Sequence, residues 1–131
     1  MRKIAISLTV AVGLSGCATL PAVNANNPIT MQHVYVLQAS YDTAVLAPAV
    51  NYRRLGLCAK GVSATLLKPC ADRNVVLELQ RADRVASKSL SDLRDFVGKY
   101  PGQLGASGLY DAAKLAINQA KTIIAVYHLQ K

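Results

Sequence analysis

Three cysteines (Cys17, Cys58, Cys70), two histidines (His33, His128) and seven acidic residues are the first candidates for chemistry in this chain. Cys58 and Cys70 stand too far apart for a C-x-x-C redox pair, and no H-x-x-x-H spacing accompanies them, so neither a thiol–disulfide catalyst nor a zinc site is expected. His33 falls near the start of the first helical stretch and His128 near the end of the last. In a bundle where these two run parallel, the histidines sit at opposite ends and cannot share a proton or a metal. Asp92 and Asp95 lie one helical turn apart beside Lys88 and Lys99, a neighbourhood that lowers carboxyl pKa values and suits a solvated face better than a general acid. No G-x-S-x-G, Walker-type loop, H-E-x-x-H or S-x-x-K occurs. The expectation is a protein with no catalytic residues, no metal and no cofactor.

Cys17 has a different context. Arg2 and Lys3 are followed by an apolar run from Ile4 to Leu14, then by the small pair Ser15-Gly16 and the cysteine. That is the three-part plan of a secretory signal peptide, and a run of about 11 residues is too short to span ~30 Å of hydrocarbon as a helix. Leu14-Ser15-Gly16-Cys17 resembles the lipobox of bacterial lipoproteins. The resemblance implies cleavage before Cys17, diacylation of its sulfur and acylation of the new amino terminus. Residue Ala18 lacks the Asp that retains enterobacterial lipoproteins in the inner membrane, so the resemblance implies an outer-membrane anchor facing the periplasm if the source is Gram-negative.

Export changes how the remaining residues read. In an oxidising compartment the even pair left after Cys17 is most simply a Cys58–Cys70 disulfide closing a Gly- and Pro-containing loop. Removing residues 1–16 leaves 115 of the 131 residues, enough for one small domain with its own core. The remaining 13 basic and 7 acidic side chains give about +6. Inside a cell that balance would suggest nucleic acid; at an envelope the anions are lipid headgroups and lipopolysaccharide. Contact with them, worth on the order of 1 kcal/mol per well-placed cation, and simple solubility are equal readings of the charge.

Positioning elements follow from periodicity. Residues 17–27 are small and amide-bearing and read as a tether. A first helix over about 28–54 is expected to start at Asn27-Pro28 and to carry Val34, Leu37, Tyr41, Val45 and Tyr52 inward, with a kink or break near Pro48. A second, over about 71–100, is capped by Asp72 and repeats Val76, Leu79, Ala86, Leu90, Leu93, Val97 and Tyr100 in threes and fours. Ala82 or Asp83 completes that seam; Ala82 is the expected occupant, leaving Asp83 at the wet border rather than bonded across the bundle. Asp95 and Lys99 have the spacing of a surface ion pair. After the turn at Tyr100-Pro101-Gly102, a third helix over about 107–130 starts at Ser107 as N-cap with Asp111 in its first turn. Its seam reads Leu109, Ala113, Ala116, Ala120, Ile123 and Tyr127, with Lys121 outside. Ile117, Ile124 and Val126 lie off it, and either pack on the first helix or form a docking surface.

The expected fold is therefore all-α: an up-down-up antiparallel three-helix bundle over 28–131 with one disulfide. The expected role is a membrane-anchored structural or adaptor lipoprotein that docks an envelope protein through Ile117, Ile124 and Val126. The competing role is a phage- or plasmid-encoded exclusion lipoprotein that blocks superinfection or DNA entry.

Overall fold

A computed structural model describes residues 27–65 and 68–129, which are helical with no strand among them. The expected signal peptide over 1–16, Cys17 and all of the expected tether but Asn27 lie outside the described residues. The first arm is α1 (Met31–Tyr41), a π turn (Asp42–Leu46) and α2 (Ala47–Arg54); α3 (Arg73–Lys99) and α4 (Ser107–Val126) complete the three arms. No helix of the described residues is long and apolar enough to cross a membrane.

Pro48 does not break the first arm. It occupies the second position of α2, and the π turn directly before it takes up the strain, with the Ala47 N–H reaching back to the Asp42 carbonyl. A proline inside an α-helix removes a donor and pushes its ring into the preceding turn; a turn widened by one residue makes room for it. The same widening serves the core. Leu37, Tyr41, Val45 and Ala49 are all buried at successive steps of four, a spacing that drifts around a 3.6-residue helix. The π turn absorbs the extra residue and returns the stripe to the core.

The arm begins later than Asn27-Pro28. Thr30 is the N-cap of α1, and His33 Nδ1 accepts from the Thr30 N–H at 3.2 Å and lies 2.8 Å from its Oγ1. His33 thus fills the role that Glu or Gln has in a capping box. α3 starts as expected, the Asp72 carboxylate accepting from the N–H groups of Asn74 (2.7 Å) and Val75 (3.3 Å). Two surface details differ. Asp95 lies 4.0 Å from Arg94 rather than against Lys99, and the pair that closes is Lys88–Asp92 at 2.7 Å. Tyr100, the expected last seam residue, is the exposed C-cap of α3.

α4 corrects the sequence reading most. A 3₁₀ turn (Leu104–Ala106) runs straight into it, so Ser107 is its first residue, Ala106 is the N-cap and Asp111 lies beyond the first turn. The buried residues are Tyr110, Ala113, Ala116, Ile117, Ala120 and Ile124: the alanines are those expected, while Tyr110 and Ile124 replace Leu109 and Ile123 and Ile117 is added. Ile117 and Ile124 are 1% and 0% exposed and belong to the core, while Val126 is 64% exposed. The first two therefore form no docking surface, because Ala113 and Ala120 let α4 approach closely enough for the isoleucines on the same stripe to be covered. α4 packs most extensively on α3.

The connection between α2 and α3 is fastened twice. Cys58 and Cys70 form a disulfide with Cα atoms 5.0 Å apart. Beside it the Cys58 N–H donates to the Ala71 carbonyl (3.0 Å) and the Ala71 N–H to the Gly56 carbonyl (2.7 Å). Gly56 has φ +73°, the left-handed conformation that ends α2. Replacing both cysteines with serine should leave helical circular dichroism intact and lower the melting temperature by roughly 10–20 °C, the equivalent of about 3 kcal/mol for a loop of this length. A thermal melt of the double variant against the oxidised parent measures it.

Candidate functional site

Three contacts fix which helix ends meet. The Tyr52 hydroxyl of α2 accepts from the Asp72 N–H at the head of α3 (2.7 Å), and the Tyr127 hydroxyl at the tail of α4 donates to Glu78 in the second turn of α3 (3.1 Å). At the other end His33 meets Tyr110 edge-on, ring centroids 6.3 Å apart. One pole therefore holds the disulfide, the end of α2, the head of α3 and the tail of α4. The opposite pole holds Asn27, the first described residue. His33 and His128 are consequently separated by about 27 Å of α4, counted from Tyr110 at 1.5 Å per residue. No three of the described His, Cys, Asp and Glu side chains gather as metal ligands would.

A groove of about 790 Å³ opens at the disulfide pole. Asn51, Tyr52 and Leu55 of α2 form one wall, and Tyr127, His128 and Leu129 form another. Ala64, Thr65, Pro69 and Cys70 contribute the disulfide-loop side. Its shape depends on how α4 ends. The Leu129 N–H donates to the Ile124 carbonyl (3.0 Å) and the His128 N–H to the Ala125 carbonyl (3.1 Å), a complete Schellman motif. The position that glycine normally occupies is His128, at φ +52°. Leu129 is thereby folded back onto the core while His128 stays exposed at the groove.

Charge is distributed unevenly around this pole. Arg53, Arg54, Lys60 and Lys68 flank the groove in sequence, and Arg73, Arg81 and Arg84 follow in the first half of α3. The acids of the same half are Asp72, Glu78 and Asp83. Each is engaged by a hydrogen bond: Asp72 caps α3, Glu78 accepts from Tyr127, and Asp83 accepts from Tyr41. Among the described residues none of the three forms an ion pair with a basic side chain. The hydrogen bond to Glu78, with its charge, holds the Tyr127 phenol above the ordinary range.

The Tyr41–Asp83 contact overturns the expectation that Ala82 alone completes the seam. Ala82 and Asp83 are both half-buried, and Asp83 reaches the buried Tyr41 of the first arm. Burial, and then the Asp83 carboxylate, push the Tyr41 phenol far above its ordinary 10.0. Lys121, expected on the outer face of α4, instead donates to the Ser40 hydroxyl at 2.9 Å. The sequence reading missed the groove residues Tyr52 and Tyr127 as a pair. Their signal was the choice of tyrosine over leucine at the ends of two seams, where one edge must be dry and the other wet.

No protein-family model matches the chain, and neither curated proteins nor solved structures give a match.

Two outcomes test this geometry. Because folding raises the Tyr41 pKa above 10.0, its contribution to stability is whole below pH 10 and is lost as pH climbs through the folded value. Tyr41→Phe should cost about 1–3 kcal/mol near neutral pH by leaving Asp83 without its donor. In an ultraviolet titration of the parent, Tyr41 and the buried Tyr110 should ionise late, and the variant should lose one phenol from this late step. His128→Gly should raise stability by about 1 kcal/mol in a denaturant melt, since a left-handed conformation costs a side-chain-bearing residue ~1–2 kcal/mol.

Proposed function

We propose that the protein is a small helical lipoprotein of the bacterial envelope, acylated at Cys17 after loss of residues 1–16, that serves as a structural or adaptor module. The arms are read as an up-down-up antiparallel bundle, supported by the Tyr52–Asp72, Tyr41–Asp83 and Tyr127–Glu78 contacts. The observation that carries the adaptor reading is polarity. The tether joins at Asn27, whereas the groove lies at the other end of α3, whose 27 residues measure about 40 Å. An anchor at Cys17 holds one pole near the bilayer and leaves the disulfide pole to meet a partner. That partner is an envelope protein in preference to the lipid around the anchor, because ~40 Å is several screening lengths at physiological salt. Val126 is a peripheral contact at most; Ile117 and Ile124 play no part in docking. Outer-membrane placement follows from Ala18 in a Gram-negative source.

Mass spectrometry of the membrane fraction tests the anchor. The expected product is a lipid-bearing Cys17 peptide, and Cys17→Ala should accumulate uncleaved precursor. Unmodified mature protein cleaved at another residue and free of the membrane would overturn the reading.

A further inference from the structure

The side of α3 turned away from the core carries one sign of charge over its first half. At about 100° per residue, Arg73, Leu77, Arg81, Arg84 and Lys88 fall within an arc of about 80°, opposite the buried Val75, Leu79, Ala86 and Leu90. All five are exposed, and they follow one another at steps of four, four, three and four residues. That is the spacing along which a second helix packs. We propose that this strip takes an acidic amphipathic helix of the partner protein, an inference that rests on the adaptor reading and supplies the chemistry the partner must present.

The strip is positive because of where the acids of α3 point. Between Arg73 and Lys88 these are Glu78 and Asp83. Glu78 lies about 100° to one side of Leu77 and Asp83 about 120° to the other. Tyr127 at the end of α4 donates to the first and Tyr41 of α1 to the second. Among the described residues Arg73, Arg81 and Arg84 form no ion pair, and Lys88 holds Asp92 one turn beyond the strip. Arg81, Arg84 and Lys88 line one hollow with Val85, Ser89 and Asp92. The strip measures about 22 Å, roughly four turns, and the exposed Leu77 and Val85 add apolar contacts beside the cations. A partner helix with carboxylates at matching steps meets these cations, covers the two aliphatic side chains and is fixed in register by charge. A bilayer is the poorer fit. A helix lying on lipid does so through its apolar side, which α3 buries, and this half of α3 is the half remote from Asn27.

The test uses the full chain purified in detergent. The probe is a fluorescent, alanine-based helical peptide with glutamates in one stripe at steps of four and three and a leucine within that stripe. Controls are a peptide of the same composition with the glutamates scattered round the helix, the striped peptide with lysines for glutamates, and vesicles of phosphatidylglycerol. The striped acidic peptide should bind and gain helical circular dichroism on binding, and raising salt from about 50 to 500 mM should weaken it roughly tenfold or more. Arg81→Gln with Arg84→Gln should weaken it at least about tenfold at an unchanged melting temperature, because both side chains are exposed and form no ion pair among the described residues. Arg54→Gln with Lys60→Gln removes the same charge away from α3 and should change affinity less than about twofold.

Equal binding of the scattered or the lysine peptide, equal losses in the two double variants, or binding of the vesicles but not of the striped peptide would each overturn the proposal. Acylated Cys17 with no peptide binding removes this inference alone. Peptide binding with unmodified Cys17 removes the anchor and leaves the strip's specificity standing.

Discussion

Pro48 lacks an N–H in the middle of the first arm, and the course of that arm is set around the missing donor. A straight α-helix from Met31 to Arg54 would drive the proline ring into the turn before it. The π turn over Asp42–Leu46 relieves the clash and shifts everything after it by one residue. That shift keeps Val45 and Ala49 on the buried stripe with Tyr41. It also sets where α2 ends, and hence where Tyr52 meets the head of α3. The Thr43 hydroxyl bonds the Ala39 carbonyl (2.8 Å) and Lys121 reaches Ser40 (2.9 Å), so polar groups beside the widened turn find partners.

The second organising theme is the use of tyrosine hydroxyls to receive or supply bonds between arms. Tyr41 satisfies Asp83, Tyr52 receives the Asp72 amide, and Tyr127 satisfies Glu78. Each ring contributes apolar area to a seam while its hydroxyl settles a polar group at the seam's edge. With no tryptophan and one phenylalanine in the chain, tyrosine carries nearly all of the aromatic packing. The consequence for charge is indirect. Two carboxylates, Asp83 and Glu78, are thus answered by phenols rather than by lysine or arginine.

Long-period features were legible in the sequence and phase was not. α3 was readable because its leucines and valines repeat cleanly and Asp72 is a strong cap; the disulfide followed from counting cysteines in a chain that resembles an exported one. The alanines of α4 were placed correctly, but its larger residues were misread by one position because alanine is ambiguous. Ala113, Ala116 and Ala120 fit two adjacent stripes equally well, and the choice between Ile123 and Ile124 as the inward residue depends on how closely α3 approaches. The proline pointed to a kink or a break, and sequence alone cannot show that the turn before it widens while the arm continues. Asp83 was assigned to the border because its donor, Tyr41, lies 42 residues away in the chain. The groove could not be seen at all, since it is assembled from three separate chain segments.

The doubly fastened connection between α2 and α3 has an evolutionary consequence. Gly56, Cys58, Cys70 and Ala71 hold the two ends of that loop in register through a covalent bond and two backbone hydrogen bonds. Residues 59–65 between them are all exposed and carry no weight in the core. Selection can therefore rewrite this segment, lengthen it or exchange its charges while the helices keep their stability. Loop extension adds only about 0.6 kcal/mol of closure entropy per doubling. A groove bordered by such a segment can diverge quickly between lineages on a scaffold that stays fixed, much as a lock can be re-keyed without rebuilding the door.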